Sequence, residues 1–421
     1  MNNLVERDLD KIWHPYTQMK TAAKPIPIIK GEGVYLYTAD GGKLIDAVSS
    51  WWVNLHGHSH PYIAQKAFEQ LQTLEHVIFA GFTHPQAVKL AENLLSIIPD
   101  NQKKIFYSDN GSTAIEVALK MCLQYWFNKG VHRQKILAFK DAYHGDTFGA
   151  MAVSGRSAWT APFDSLLFDV EFIDLPTKEN LEDLKSQISN LKSDLACFIF
   201  EPLILGSGGM LMYDAKLLNE LMLHCRHENV LTIADEVMTG FGRTGKLFAM
   251  DHVTAEPDIM CFSKGLTGGT MALGVTSCTD EIYQAFLSDD KMKTLFHGHS
   301  FTANPIACAV ANASFDLLTK PETLANIQRV EQKHQTFKQA IENHPKLKNV
   351  RQTGTIIAFE WNTDATSYFS NIRDLLYNFF LEQGIILRPL GNILYILPPY
   401  CISDDDLDYI YEKIRLALEK F

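Results

Sequence analysis

The sequence predicts an α/β protein, with a large domain built on a mostly parallel sheet and a smaller α+β domain. Three observations predict it. The middle of the chain alternates short apolar runs with helical patterns. Those runs are apolar on both faces, as expected of strands covered by helices on either side of a sheet. After about Leu317 the pattern changes to a long helix followed by closely spaced strands.

Taken in order, the stretch 1–46 carries short strand signals at 33–37 and 44–47, and is expected to pack with the C-terminal domain. The large domain is expected over 47–317. Its strands are expected at 104–107, 135–139, 196–200, 230–234 and 259–262, with amphipathic helices over 112–127 and 214–228. The small domain, 318–421, is expected to hold helices over 322–342 and 367–383. Its strands fall at 354–361 and within 385–397, and a last helix closes the chain. Ser403 is placed to cap that last helix, with Asp404, Asp405 and Asp406 in its first turn, where the helix dipole favours acids.

Composition narrows the function classes. The 421 residues carry a formal net charge of -11, a poor match to a nucleic-acid phosphate backbone. At 46% hydrophobic and 21% charged residues, the chain can build a large core. There is no run of about 18 apolar residues, so no membrane span is expected. The first residues lack a basic stretch followed by an apolar one, which leads us to expect a cytoplasmic protein. The 7 cysteines are scattered, with no Cys-x-x-Cys pair, and read as buried free thiols.

Two strands end in reactive residues. Val230 to Ala234 runs into Asp235, and Ile259 to Phe262 runs into Ser263 and Lys264. In a parallel sheet both ends lie on the carboxyl edge, where ligands bind. An amine beside a carboxylate is the pair pyridoxal phosphate needs: the amine condenses with its aldehyde, and the carboxylate keeps the pyridine nitrogen protonated. An ordinary buried ion pair would look the same. Two further edges favour the cofactor. Asp109 to Thr113 joins a strand to a helix, and the glycine and free amides at Gly111 and Ser112 suit a phosphate. Tyr143, His144 and Gly145 follow another strand, where an aromatic ring can lie against a flat cofactor. Alone, each would pass as a capped helix or a packed tyrosine.

Two motifs point elsewhere and are set aside. Gly240, Gly242 and Gly245 match the dinucleotide fingerprint, but five residues separate them from the strand and no good helix follows. His56, His58 and His60 lack helical zinc-ligand spacing, and Gly57 and Pro61 mark them as a turn, so no metal is expected.

The run from Asp235 to Gly245, then Ser263 to Gly269, together with Gly111-Ser112, Tyr143-His144-Gly145 and Glu201-Pro202, resembles the class III aminotransferases of fold type I. The resemblance covers essentially the whole chain. Trp13 to Thr17, Ser49 to Trp52, His297 to Pro305 and Ile386 to Gly391 are most similar to the members that aminate 8-amino-7-oxononanoate in biotin biosynthesis. It implies that Lys264 holds pyridoxal 5'-phosphate as a Schiff base and moves the substrate proton, while Asp235 pairs with the pyridinium. Gly111, Ser112, Ser300 and His299 would contact the cofactor, Ser300 from the neighbouring subunit of a homodimer. Tyr143 would lie on the ring and act in catalysis. Tyr16, Trp51, Tyr143 and Gly298 would shape the substrate pocket, and Arg388 would hold the keto acid's carboxylate. One of Trp51 and Trp52 is expected to be plain core. The implied donor is S-adenosylmethionine, with ping-pong kinetics; lysine as donor, or a different ω-aminotransferase acting on ornithine, 4-aminobutyrate or a diamine, stays open. Where this family is expected to carry Gly-Pro-Thr, the chain has Gly298-His299-Ser300.

Overall fold

The computed structural model describes residues 2–363 and 371–421. Near the N-terminus, strands β1 (Ile28–Glu32), β2 (Tyr35–Thr38) and β3 (Lys43–Asp46) form an antiparallel run. The large sheet follows: β4 (Gln102–Ser108), β5 (Lys135–Phe139), β6 (Glu171–Ile173) and β7 (Leu195–Phe200). A small hairpin, β8 (Ile204–Leu205) with β9 (Leu211–Met212), interrupts it. The large sheet resumes with β10 (Leu231–Asp235), β11 (Ile259–Phe262) and β12 (Gly274–Thr279). Its order is β4-β12-β11-β10-β7-β5-β6, and β12 alone runs antiparallel to its neighbours.

All five strands expected for this sheet form within a residue or two. Two further strands, β6 and β12, are not marked by apolar runs in the sequence. Gly274–Thr279, GVTSCT, holds three polar residues and reads as a loop, yet Thr276 and Ser277 are fully buried. Their hydroxyls donate to the Ala114 carbonyl and to Gln102 Oε1, which meets the cost of burying them. Along β7 the side chains alternate between two cores. Phe198 and Phe200 join the one that holds Phe139, and Cys197 and Ile199 join the one that holds Ile136 and Ile233. Burial on both faces produces the continuous apolar runs seen in the sequence.

After helix Pro321–Ile341, strands β13 (Leu347–Thr353), β14 (Ile356–Trp361) and β16 (Ile393–Ile396) make a three-stranded antiparallel sheet. Between them β15 (Ile385–Ile386) pairs in parallel with β3, Ile385 opposite Ile45, so the N-terminal strands and the C-terminal segment share one sheet. The helix expected over 367–383 is seen as Asn371–Glu382; its expected start at 367 lies outside the described residues. Ser403 caps the last helix, Asp404–Lys420, its Oγ accepting from the Asp406 amide at 3.1 Å. Among the described residues, no helix is long and apolar enough to cross a membrane. Six cysteines are buried free thiols as expected, but Cys401 is exposed, because it sits in the turn before the last helix rather than in a strand or helix.

Candidate active site

The carboxyl edge of the large sheet closes over a cavity of about 450 Å³. Gly111, Ser112, Tyr143, Asp235 and Lys264 all line it, together with Glu201. The turns that follow four different strands, β4, β5, β10 and β11, therefore deliver the five predicted residues to one place, as strand ends do at the ligand edge of an α/β sheet.

Lys264 begins a short 3₁₀ turn, Lys264–Thr267, with φ of 44°, a left-handed backbone that a non-glycine residue adopts only when its surroundings impose it. Its amine is buried 4.9 Å from the centre of the Trp52 ring. Burial holds the amine below the usual lysine range, while Asp235 and Glu201 pull it back up. Asp235 is 4% exposed at the end of β10. Its Oδ1 accepts from the Val237 amide at 3.0 Å, and Oδ2 lies 2.7 Å from His144 Nδ1. The imidazole thus holds the carboxylate from behind, and its far nitrogen, Nε2, is buried with no hydrogen-bond partner.

The helix Gly111–Asn128 starts under the cavity. Asn110 caps it by accepting from the Thr113 amide at 3.0 Å, which leaves the amides of Gly111 and Ser112 at the cavity wall. Gly145, at φ 137°, packs onto Ser112 so closely that a Cβ would run into the serine side chain. Ser112 Oγ accepts from the Asp146 amide at 3.2 Å, so its own proton can be given to a ligand. A buried amine, a carboxylate held by an imidazole, and a helix start with open amides fit the aldehyde, ring nitrogen and phosphate of pyridoxal phosphate.

Tyr143 is held by its amide, which donates to Glu201 Oε1 at 2.9 Å, and its hydroxyl lies 3.5 Å from that of Tyr16. Burial, with Tyr16 adding, raises the Tyr143 phenol above the ordinary range. Tyr16 leads outward to an aromatic ledge. Its ring lies 5.6 Å from Trp51 and 5.3 Å from Trp159, and its hydroxyl donates to Asp146. The Arg388 guanidinium stacks 4.3 Å from the centre of the Trp51 ring. Gly298, His299 and Ser300 are not brought to the cavity of their own chain; Gly298 and Ser300 lie exposed on the loop before helix Pro305–Leu318.

The tryptophan pair divides as follows. Trp52 is the buried one, its Nε1 donating to the Tyr395 hydroxyl at 3.0 Å, and it also lines the cavity; Trp51 is 38% exposed. Ser49, Ser50 and Trp52 all have positive φ, a strained bend that sets Trp52 on the cavity wall and leaves Trp51 more exposed beside Tyr16. Sequence reasoning assigned no role to Trp52, His144, Glu201, Asp146 or Trp159. His144 and Glu201 stood in the quoted motifs, and that was the available signal. The two motifs set aside are absorbed into packing. Arg243, 1% exposed, donates to the carbonyls of Pro398 and Asn54. His58 pairs with buried Asp46 at 3.0 Å, and His56 with Ser314 at 3.0 Å.

Such an edge defines a pyridoxal-phosphate enzyme of the fold type I α/β class, and the chain belongs to the class III aminotransferases, whose family model matches residues 16–418. Within that class it is similar to adenosylmethionine-8-amino-7-oxononanoate aminotransferases. It is 45% identical over 419 residues to that of Synechococcus elongatus, covering 97% of this chain and 98% of the relative. With that of Staphylococcus aureus it is 35% identical over 439 residues, covering 99% and 97%. The crystal structure of the aminotransferase of that name from Methanocaldococcus jannaschii superposes with a TM-score of 0.96 at 35% identity, covering 100% of this chain and 99% of that one. An amine transaminase from an uncultivated Pseudomonas species, solved in its pyridoxal-phosphate-bound form, gives 0.91 at 28% identity, covering 97% and 98%.

Proposed function

We propose that this chain transfers an amino group to 8-amino-7-oxononanoate, making 7,8-diaminononanoate in biotin biosynthesis, with S-adenosylmethionine as the donor. The observation that carries the reading is the layout of the site: a buried amine in a cavity that Tyr143 also lines, from which Tyr16 and Trp51 lead on to the Arg388 guanidinium. Full-length identity to relatives named for this acceptor and donor supports it.

Pyridoxal 5'-phosphate, when bound, supplies an aldehyde that condenses with amines and a ring that draws electron density from the adjacent carbon. The chain's own residues do the rest. Lys264 is the nucleophile for that aldehyde; because burial disfavours its charged form, a larger share of the amine is neutral and reactive. Once displaced by the donor's amine, Lys264 Nζ would be the base that takes the proton from the donor's α-carbon and returns it to the carbon on the other side of that nitrogen. Asp235, fixed by His144 and the Val237 amide, presents the negative charge that keeps the ring nitrogen protonated. Gly111 and Ser112 hold the phosphate through amides and a hydroxyl. Tyr143 packs on the ring. Tyr16 and Trp51 lead to Arg388, whose planar pair of donors suits the carboxylate of the keto acid, and Gly298 would join that pocket from the loop of the second copy. One pocket serves donor and acceptor in turn, so the kinetics are ping-pong.

We further read the chain as a homodimer in the cytoplasm, with Ser300 and His299 of each copy completing the cofactor site of the other. Exposed Phe296 and Phe301 flank that loop, as befits a surface made to be covered. The division into an N-terminal segment 1–46, a large domain 47–317 and a small domain 318–421 belongs to the same reading.

The experiment is an absorbance titration of the cofactor-loaded protein. S-adenosylmethionine should remove the band of the Lys264-bound cofactor, and 8-amino-7-oxononanoate should restore it. A band bleached by ornithine or 4-aminobutyrate, and never restored by 8-amino-7-oxononanoate, contradicts the reading.

A further inference from the structure

Glu201 follows β7 and is 4% exposed, yet none of the steps above uses it. Its two oxygens reach different loops. Oε1 accepts from the Tyr143 amide at 2.9 Å, and Oε2 accepts from the Gly206 amide at 3.0 Å. Gly206 is wedged against the pocket wall: a Cβ there would lie 3.0 Å from Met238 Cε and 3.1 Å from Trp52 Cζ3. Trp52 is the ring beside the Lys264 amine. One carboxylate thus joins the loop that carries Tyr143 to the loop that seats Trp52.

We propose that Glu201 is a positioning residue for amino transfer, tying these two walls together and placing a negative charge on the cavity that Lys264 occupies. The proposal rests on the reading of Lys264 given above. Two backbone N–H donors need two acceptors, which a carboxylate supplies and an amide does not: glutamine would set its own NH₂ against one of them. A structural role would stop at those hydrogen bonds. The charge adds something further, because it faces titratable groups on every side. His144 comes from the turn after β5, Asp235 from β10 and Lys264 from the turn after β11, where Arg243 also acts on the amine. Tyr213, beside β9, donates its hydroxyl to the Glu201 carbonyl at 2.7 Å. Burial pushes the Glu201 carboxyl up to about 7; His144 works against that rise and Asp235 adds to it. Above that pH the ionised carboxylate favours a protonated nitrogen at Lys264.

The test follows the absorbance of the protein loaded with pyridoxal 5'-phosphate across pH, for the native chain and for Glu201→Gln, with folding checked by thermal melting. Removing the negative charge should move the titration of the Lys264-bound cofactor to lower pH by about one unit and lower kcat/KM about tenfold. Glu201→Asp keeps the charge and shortens the reach, so its midpoint should stay near the native value while kcat falls. A Glu201→Gln midpoint equal to the native one overturns the proposal; should that variant not fold, an aspartate variant with native kcat overturns it. A native protein showing no such band at all would instead remove the assignment of Lys264.

Discussion

At the scale of single residues, amino transfer depends on Lys264 in the cavity and on Arg388 beyond it. Lys264→Ala should retain the fold and some non-covalent cofactor binding, and should lose transamination by about 10³-fold or more, the size of a missing nucleophile and proton carrier. Stopped-flow turnover near the native rate would contradict its role. Arg388 stacks on Trp51. Arg388→Ala removes charged hydrogen bonds of about 1.5–3 kcal/mol, so KM for the keto acid should rise about 10- to 100-fold with kcat changed less. Steady-state kinetics with the acceptor varied will show this; a defect confined to the donor means that the guanidinium serves the other substrate. Lys264 and Asp235 were legible because strand ends on a parallel sheet share an edge. Trp52 was not, since a buried tryptophan pattern says core, and only the folded chain shows a core residue also facing a ligand cavity.

At the scale of elements, the turn after β5 and the start of helix Gly111–Asn128 are built against each other. Gly145 has a positive φ and no room for a side chain. Gly145→Ala should weaken pyridoxal-phosphate binding about tenfold, as expected for a backbone strain of about 1–3 kcal/mol at the phosphate cradle. Equilibrium dialysis measures it, and native affinity would show that the cradle lies elsewhere. Farther from the site, His334 on helix Pro321–Ile341 is fully buried between two elements. Its Nε2 donates to the Thr355 carbonyl at 3.1 Å, and its Nδ1 accepts from the Tyr411 hydroxyl at 2.6 Å, so the neutral ring is satisfied. Burial lowers its pKa to about 3, below an unfolded value near 6.5. Stability from this group is therefore complete above about pH 6.5 and declines as pH falls toward 3. Denaturant melts at pH 7 and pH 5 should show a smaller pH loss in His334→Gln than in the native chain; an equal loss would assign the acid sensitivity to other groups. Strand positions were read well wherever apolar runs marked them, and β12 escaped because its hydroxyls are satisfied by the Ala114 carbonyl and Gln102, partners far away in sequence.

At the scale of the whole molecule, the N- and C-terminal segments close onto each other through β3 and β15, a pairing across some 340 residues that no local pattern encodes. The loop with Gly298, His299 and Ser300 does not line its own cavity, which the proposed homodimer would explain. Light scattering should report twice the 47.5 kDa chain mass, and a monomer with full activity would remove the shared-site reading. The claim on which everything else depends is the reaction. Its most direct measurement supplies the protein and cofactor with 8-amino-7-oxononanoate and ¹⁵N-amino S-adenosylmethionine, and weighs the product by mass spectrometry. The expected product is 7,8-diaminononanoate carrying one ¹⁵N. No diamine with any amino donor would contradict it.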